Sequence, residues 1–254
     1  MHYADMRPKA LTKRRQDCPV AYLPLGILEW HGLHNPLGLD GIKAERVLSH
    51  LAAKLGGVVL PPLYWGDNRA DIVDVLCDSA VSSFPPQDAG DHVTKICETM
   101  GVSRTRLEQE AQRSTANGGW RLWEELVVHI LFQCESLGFD LIVAYPGHYP
   151  MHGPLNRAIG TFKFKGGQAD VFALTDHLVA HGDHAAAFET SLLLALAPDL
   201  VDLSALSTTD SMHLGVVGED PLKHASAEIG YSILENFERI LEEQISFSKT
   251  RKPK

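Results

Sequence analysis

Several features that would identify other classes of protein are scarce or missing in this chain. Its only cysteines are four scattered residues, none in a CxxC pair: Cys18, Cys77, Cys97 and Cys134. This argues against a disulfide framework or a cysteine zinc knuckle, and is typical of reduced thiols in the cytoplasm. No apolar run reaches about 18 residues, so we expect no membrane span. The basic N-terminal segment lacks a following apolar core, so we expect no export signal and a cytoplasmic location.

Long basic runs are also missing, and the formal net charge is -9. This charge argues against nucleic acid or an anionic membrane as the main partner. An anionic small molecule stays possible as a substrate, because a metal ion can dominate the local field of a site. The length of 254 residues and the 44% of hydrophobic residues suit one large domain with a substantial core. Thirteen histidines are a rather high count, and several stand beside acids and glycines.

Short apolar runs that end in polar, Gly-rich turns are the strongest pattern. They occupy residues 20–25, 57–60, 140–145 and 170–174. Continuous apolar runs of this length predict strands buried on both faces of a parallel sheet. Apolar residues at helical spacing predict helices at 42–55, 120–137, about 185–196 and about 225–246. The alternation predicts an α/β fold with a mainly parallel sheet between layers of helices.

The least regular part of the chain is its middle, residues 70–119. Helices are predicted there at 90–100 and 104–114. We interpret this part as an insertion or flap over the sheet within a single domain of residues 1–254. The polar, basic tail at 248–254 is predicted to be disordered.

Candidate metal ligands follow two of the predicted strands. Glu29 and His31 come after the first, Asp40 follows a Gly/Pro turn, and His148 comes after the third. In an open parallel sheet, ligands bind outside the carboxyl ends of the strands. Imidazole and carboxylate together suit zinc, manganese or iron, and two such ions could activate a water and polarise an amide carbonyl. The alternative from spacing alone is that Asp40 caps the following helix and the others are hydrogen-bonded loop residues.

Four segments resemble the creatininase (creatinine amidohydrolase) family. Residues 23–40, LPLGILEWHGLHNPLGLD, are similar to the family pattern P-x-G-S-x-E-x-H-G-x-H-x-P-x-x-T-D. Residues 147–148, Gly-His, and residues 184–191, HAAAFETS, are similar to its Gly-His turn and its H-A-G-x-x-E-T-S segment. With residues 215–221, GVVGEDP, the resemblance covers about 19–66 and 120–245.

The resemblance implies a three-layer α/β/α fold, two divalent ions per chain and hydrolysis of an amide C–N bond. By position, Glu29 would bind one ion, His31 the other, and Asp40 would bridge them, with His148 completing the first site. The family glutamate two residues after that histidine is replaced by Pro150, which has no side-chain donor. The second site would then need another ligand, for which Glu189 is the best candidate and His152 a weaker one.

The resemblance also suggests roles for residues around the ions. His184 is expected to be the general acid or to polarise the substrate; its alternative role is to cap the helix that leads to Glu189. Glu189 is expected to take part in metal binding or in catalysis, and its alternative role is that of a buried structural acid paired with an arginine. His34 is expected to orient a ligand, with a hydrogen-bonded loop histidine as the alternative. The further candidates for contact with the substrate or the ligands are Trp30, Tyr149, Asp176 and His177, for which core packing, a pocket rim or a solvated loop are the alternatives.

The predicted function is therefore a metal-dependent amidohydrolase acting on a small cyclic or formyl amide through metal-activated water. Creatinine itself is disfavoured, because the family enzyme holds it between tryptophans and this chain has none after Trp123. The alternative is a creatininase-like metal-binding protein without hydrolase activity. A Rossmann-like nucleotide-binding module is disfavoured, because no GxGxxG follows a predicted strand. The resemblance also implies a homo-oligomer, often a hexamer in this family.

Overall fold

Four parallel strands form the centre of the computed structural model, which describes residues 1–66, 92–209 and 213–251. The strands are β1 (Val20–Leu25), β2 (Val58–Val59), β3 (Leu141–Pro146) and β4 (Asp170–Ala173). Their order in the sheet is β2-β1-β3-β4, and each neighbouring pair is parallel. The predicted parallel sheet is thus confirmed, with each strand within one or two residues of its expected position.

Helices connect the strands, as parallel pairing requires. They are α1 (Pro8–Asp17), α2 (Leu39–Leu55), α3 (His92–Met100), α4 (Arg104–Ala116), α5 (Trp120–Ser136), α6 (His152–Phe164), α7 (Ala187–Leu196), α8 (Pro221–His224) and α9 (Ala227–Arg251). Among the described residues, no helix is long and apolar enough to cross a membrane. The predicted disordered tail is wrong for residues 248–251, which continue α9; Ser248 is buried and donates a hydrogen bond to Asp170.

The three layers follow from the alternation of side chains along the strands. Val20 and Tyr22 of β1 face a core built with α2, α7 and α9, whereas Ala21, Leu23 and Leu25 face a core built with α5 and α6. Each fully buried aliphatic side chain of this kind stabilises the fold by about 1.5–3 kcal/mol. The predicted α/β/α architecture is therefore confirmed.

Part of the predicted insertion at 70–119 lies outside the described residues, which resume at His92. Helices α3 and α4 agree with the two helices predicted there, apart from residues 90 and 91, which are not among those described. That the segment is an insertion or flap within one domain stays a prediction.

The first turn of α2 lies directly on the ends of β1 and β3. A Cβ atom added at Gly26 would come within 2.3 Å of the Gly41 nitrogen, and one added at Gly147 within 2.1 Å of the Asp40 carbonyl oxygen. Only glycine permits so close an approach of two backbone segments. These two glycines therefore hold the Asp40 side chain at the carboxyl edge of the sheet.

Candidate metal centre

Three of the sequence-predicted ligands meet at this edge. His148 Nδ1 lies 2.9 Å from Glu29 Oε1 and 3.5 Å from Asp40 Oδ2. One ligand atom from each of Glu29, Asp40 and His148 lies within 4.8 Å of the others. We call this group the first triad. Two carboxylates and an imidazole form a donor set that suits zinc, manganese or iron.

A second group shares Asp40 with the first. His31 Nε2 lies 3.0 Å from Asp40 Oδ1, and ligand atoms of His31, Asp40 and Glu189 lie within 4.8 Å of one another. We call this group the second triad. The two oxygens of Asp40 thus face different triads, which is the arrangement that a bridging carboxylate requires. The alternative role of Asp40 as a helix cap is not supported, because the N-cap of α2 is Gly38 and Asp40 lies inside the first turn.

The charges around Asp40 favour a cation. His31 Nδ1 lies 3.2 Å from the Glu29 carbonyl oxygen, which can only accept a hydrogen bond, so His31 Nε2 points at the acids. Burial alone would lower the pKa of His31, but the carboxylates of Asp40 and Glu29 outweigh burial and raise it to about 9. Burial alone would raise the pKa of Asp40, but His31 and His148 outweigh burial and hold it well below its ordinary value.

The residues present fit a divalent ion at the first triad. Asp40 Oδ2 is buried and forms no hydrogen bond with any residue that the structure describes. A buried carboxylate oxygen in this state is costly unless a cation satisfies it. The first triad therefore has both the donor chemistry and an unsatisfied oxygen at the point where an ion would bind.

His184 lies next to the first triad. Its Nε2 is 2.9 Å from the Trp30 carbonyl oxygen, and its Nδ1 is 3.7 Å from Glu29 Oε1. Because the carbonyl accepts, Nε2 carries a proton and Nδ1 is the nitrogen that faces the centre. The helix-capping alternative is not supported, since Asp183 accepts hydrogen bonds from the Phe188 and Glu189 amides at the start of α7.

Glu189 is bound by a buried lysine that the sequence analysis did not single out. Lys43 Nζ lies 2.6 Å from Glu189 Oε1 and 2.8 Å from Asp176 Oδ2, and its side chain is 0% exposed. Tyr145 donates a hydrogen bond to Asp176. Asp176 is thus a buried partner of Lys43, so the pocket-rim and solvated-loop interpretations of this residue are wrong. Glu189 is a paired buried acid, but its partner is a lysine rather than an arginine.

The position of Lys43 in the sequence could have indicated that its side chain is buried and paired. It stands three residues after Asp40 and four before Val47, on the side of α2 that is buried. A lysine on the apolar face of a helix is unusual, since lysine is almost never fully buried unless it is paired. Burial alone would lower the pKa of Lys43, but Asp176 and Glu189 outweigh burial and hold it well above its ordinary value.

The other predicted residues surround the centre at different distances. His34 Nε2 lies 3.0 Å from Thr190 Oγ1, next in sequence to Glu189, and burial lowers the pKa of His34 to about 4. The Trp30 indole donates to the Leu214 carbonyl oxygen, so its side chain is held by the loop before α8. The second-choice ligand His152 belongs to neither triad and packs instead in a ring cluster with Tyr149 and His177.

Comparison with known proteins identifies the family. A family model described as creatinine amidohydrolase matches residues 4–72 and 99–241. The chain therefore belongs to the creatininase family.

Individual relatives agree with this assignment. Creatinine amidohydrolase of Pseudomonas putida is 28% identical over 192 residues, which make up 74% of this chain and 67% of that protein. A crystal structure of creatinine amidohydrolase matches with a TM-score of 0.65 and 22% identity, covering 100% of this chain and 98% of the other. A structure described as "Creatininase Mn" matches with a TM-score of 0.64 and 22% identity, covering 96% of both chains. The solved structures show a shared fold.

Proposed function

We propose that the chain is a divalent-metal-dependent amidohydrolase that cleaves the C–N bond of a small cyclic or formyl amide. The observation that carries this proposal is the first triad, in which Glu29, Asp40 and His148 converge within 4.8 Å of one another. A similar solved structure is described as "Creatininase Mn", which supports manganese among the candidate ions. The donor set accepts zinc and iron as well.

The first triad would hold the divalent ion of this reaction, and Asp40 is its shared ligand. When bound, a divalent ion polarises a carbonyl oxygen and lowers the pKa of a water molecule. Asp40 is held by the approach of α2 to Gly26 and Gly147, so the donor geometry exists before the substrate arrives.

His184 is suited to moving a proton. Its Nε2–H is fixed by the Trp30 carbonyl oxygen, while Nδ1 faces Glu29 and the side chain is 26% exposed. An amide nitrogen must gain a proton before it can leave, and an imidazole near neutral pH is an effective donor. We therefore assign His184 as the general acid of the proposed reaction.

The substrate is proposed to be a small neutral or anionic amide rather than creatinine. The ring cluster of Tyr149, His152 and His177 lies beside Lys43, whose Nζ is 5.9 Å from the Tyr149 ring centre. Histidine and tyrosine rings can both donate and accept hydrogen bonds at their edges, whereas the indole of tryptophan can only donate. These rings would favour a substrate with more polar edges than creatinine.

Metal content per chain is the first test. Wild type, Asp40→Asn and the exposed control Asp199→Asn are purified without chelator and analysed by plasma mass spectrometry. Wild type and the control are expected to hold at least one divalent ion per chain, and Asp40→Asn to lose it together with amide hydrolysis. A wild type without a stoichiometric ion, even after incubation with zinc or manganese, would contradict the proposal.

A metal-binding protein without hydrolase activity is the second candidate. Two observations favour it: Pro150 offers no side-chain donor, and Glu189 is already bound by Lys43. One tightly bound ion without turnover of a panel of cyclic and formyl amides would support this candidate over the hydrolase.

We also propose that residues 1–254 form one domain with an insertion within 70–119, and that the chain forms a homo-oligomer. The family match ends at residue 72 and resumes at residue 99, which supports an insertion there. Sedimentation velocity would test the oligomer, with a monomer at micromolar concentration as the contradicting result.

A further inference from the structure

A positive charge that belongs to the chain itself lies against the second triad. Lys43 Nζ forms ion pairs with Glu189 at 2.6 Å and with Asp176 at 2.8 Å, and all three side chains are almost completely buried. A buried ammonium is stable only when acids compensate its charge. The two acids and the lysine therefore form one buried, ion-paired unit beneath the centre, with a single ammonium between two carboxylates.

This unit occupies the Glu189 carboxylate that an ion at the second triad would need. Oε1 of Glu189 accepts from Lys43, and Oε2 accepts from the Ala185 amide at 2.7 Å. Pro150, two residues after His148, has no donor to offer in their place. An ion bound to Glu189 would share that carboxylate with an ammonium, and like charges repel strongly where little water screens them.

The first triad differs in this respect. The Glu29 carboxylate lies within 3.7 Å of three imidazoles, those of His31, His148 and His184. Among the residues that the structure describes, no lysine or arginine side chain forms a salt bridge with Glu29 or Asp40. Among the described residues, the salt-bridge partners of its carboxylates are imidazoles, which are themselves metal ligands. An ion at the first triad would meet carboxylates and imidazoles, whereas at the second it would have to displace or repel a lysine.

We infer that Lys43 is a built-in cation of the second triad, so that the chain binds one divalent ion, at Glu29, Asp40 and His148. His31 then remains the hydrogen-bond partner of Asp40 and positions it for that ion. This inference rests on the proposed function, because it assumes that the first triad binds metal. Lys43 acts through Glu189 and is a positioning residue rather than a catalytic one.

Counting ions separates this role from that of a merely structural ion pair. Apo protein is prepared with a chelator, titrated with Zn²⁺ and, separately, Co²⁺, and analysed after desalting by mass spectrometry and by the visible absorption of Co²⁺. The variants are Lys43→Met, Pro150→Glu and their combination, with Lys54→Met on the exposed side of the same helix as the matched control. Circular dichroism checks that each variant is folded.

One ion per chain is expected for wild type, Lys54→Met and Pro150→Glu, since Lys43 is retained in all three. Close to two ions are expected for Lys43→Met combined with Pro150→Glu, and a second, weaker ion for Lys43→Met alone. If the Lys43 variants do not fold, Pro150→Glu decides: one ion supports the inference and two overturn it. Two tight ions in wild type overturn this inference and leave the proposed function intact, whereas no ion in wild type overturns both.

Discussion

The two triads share one aspartate but differ in exposure and in charge compensation. In the first, the side chain of Glu29 is 16% exposed and that of the adjacent His184 is 26% exposed, so substrate and water can reach it. In the second, His31 and Lys43 are 0% exposed and Glu189 is 2% exposed. The first triad therefore has a partly exposed side chain beside the buried, unsatisfied oxygen of Asp40, whereas the second is sealed and its Glu189 is paired with a lysine.

This difference shows how one residue can change the chemistry of a site. The donors of the two triads are similar in type, with two carboxylates and one imidazole in each. What distinguishes them is Lys43, which binds the carboxylate of Glu189 but not that of Glu29. Affinity for an ion depends on the whole charge around the donors as well as on the donors themselves.

The largest expected effect comes from removing a charge of the first triad. Glu29→Gln keeps the shape of the side chain but removes a carboxylate that lies 2.9 Å from His148. We expect loss of the bound ion and a decrease of roughly 10³-fold in kcat/KM for the amide substrate, equivalent to about 4 kcal/mol of transition-state stabilisation. Metal analysis and steady-state kinetics measure this, with the exposed Glu125→Gln as control. Retention of the ion in Glu29→Gln would remove the distinction between the triads.

The next effect concerns the stability of the second triad. Lys43→Met leaves Glu189 and Asp176 buried without their cation, so we expect the free energy of unfolding to fall by about 3–5 kcal/mol. Urea denaturation measures this change. Addition of zinc should restore part of the loss in the variant, since an ion that binds only the folded state stabilises it. A variant as stable as wild type would show that the ion pairs contribute little.

An acid-sensitive group lies behind the second triad. Burial lowers the pKa of His34 to about 4, from an ordinary value near 6.5. As the pH falls below about 6.5, His34 gains a proton in the unfolded chain but stays neutral in the folded protein until about pH 4. This protonation stabilises the unfolded state, so the free energy of unfolding should fall as pH decreases from about 6.5 to 4, by at most about 3 kcal/mol. His34→Gln should flatten this part of the curve of unfolding free energy against pH. The exposed control His224→Gln should leave it unchanged, and an unchanged curve for His34→Gln would refute the assignment.

The smallest effect tests how the shared aspartate is positioned. Gly147→Ala would place a Cβ atom 2.1 Å from the Asp40 carbonyl oxygen, so α2 must shift. We expect a loss of about 1–3 kcal/mol in stability and weaker metal binding at the first triad. Gly160→Ala in α6 is the matched control, because an added Cβ there meets nothing within 4 Å. Equal behaviour of the two variants would show that the close approach is unimportant.

The strands and the layered architecture could be predicted from the sequence because their patterns are local. Continuous apolar runs mark buried strands, and the rule that ligands gather at the carboxyl ends of parallel strands brought Glu29, Asp40 and His148 together in the prediction. Helix α6 was not predicted, because Gly153, Pro154 and Gly160 interrupt its pattern and have low helix propensity.

The pairing of Lys43 could not be predicted in the same way. Its partners lie 133 and 146 residues further along the chain, and no local pattern connects them. The pairing of Asp176 with Lys43 could not be predicted for the same reason: a polar residue after a strand is usually solvated, and only the fold brings a lysine beneath it. Long-range charge pairs of this kind depend on packing, which spacing along the sequence does not encode.

The close approach at Gly26 and Gly147 has a consequence for how the protein matures. Asp40 rests on the ends of β1 and β3, so its carboxylate reaches Glu29 and His148 only when these two strands pair in their native register. A slip of one residue would displace the strand ends by about 3.3 Å, which is comparable with the 2.9 Å and 3.5 Å contacts of His148 with Glu29 and Asp40. During biosynthesis, an ion would therefore be captured only after the sheet has closed. The rate of metal uptake would then report the rate of the final step of folding.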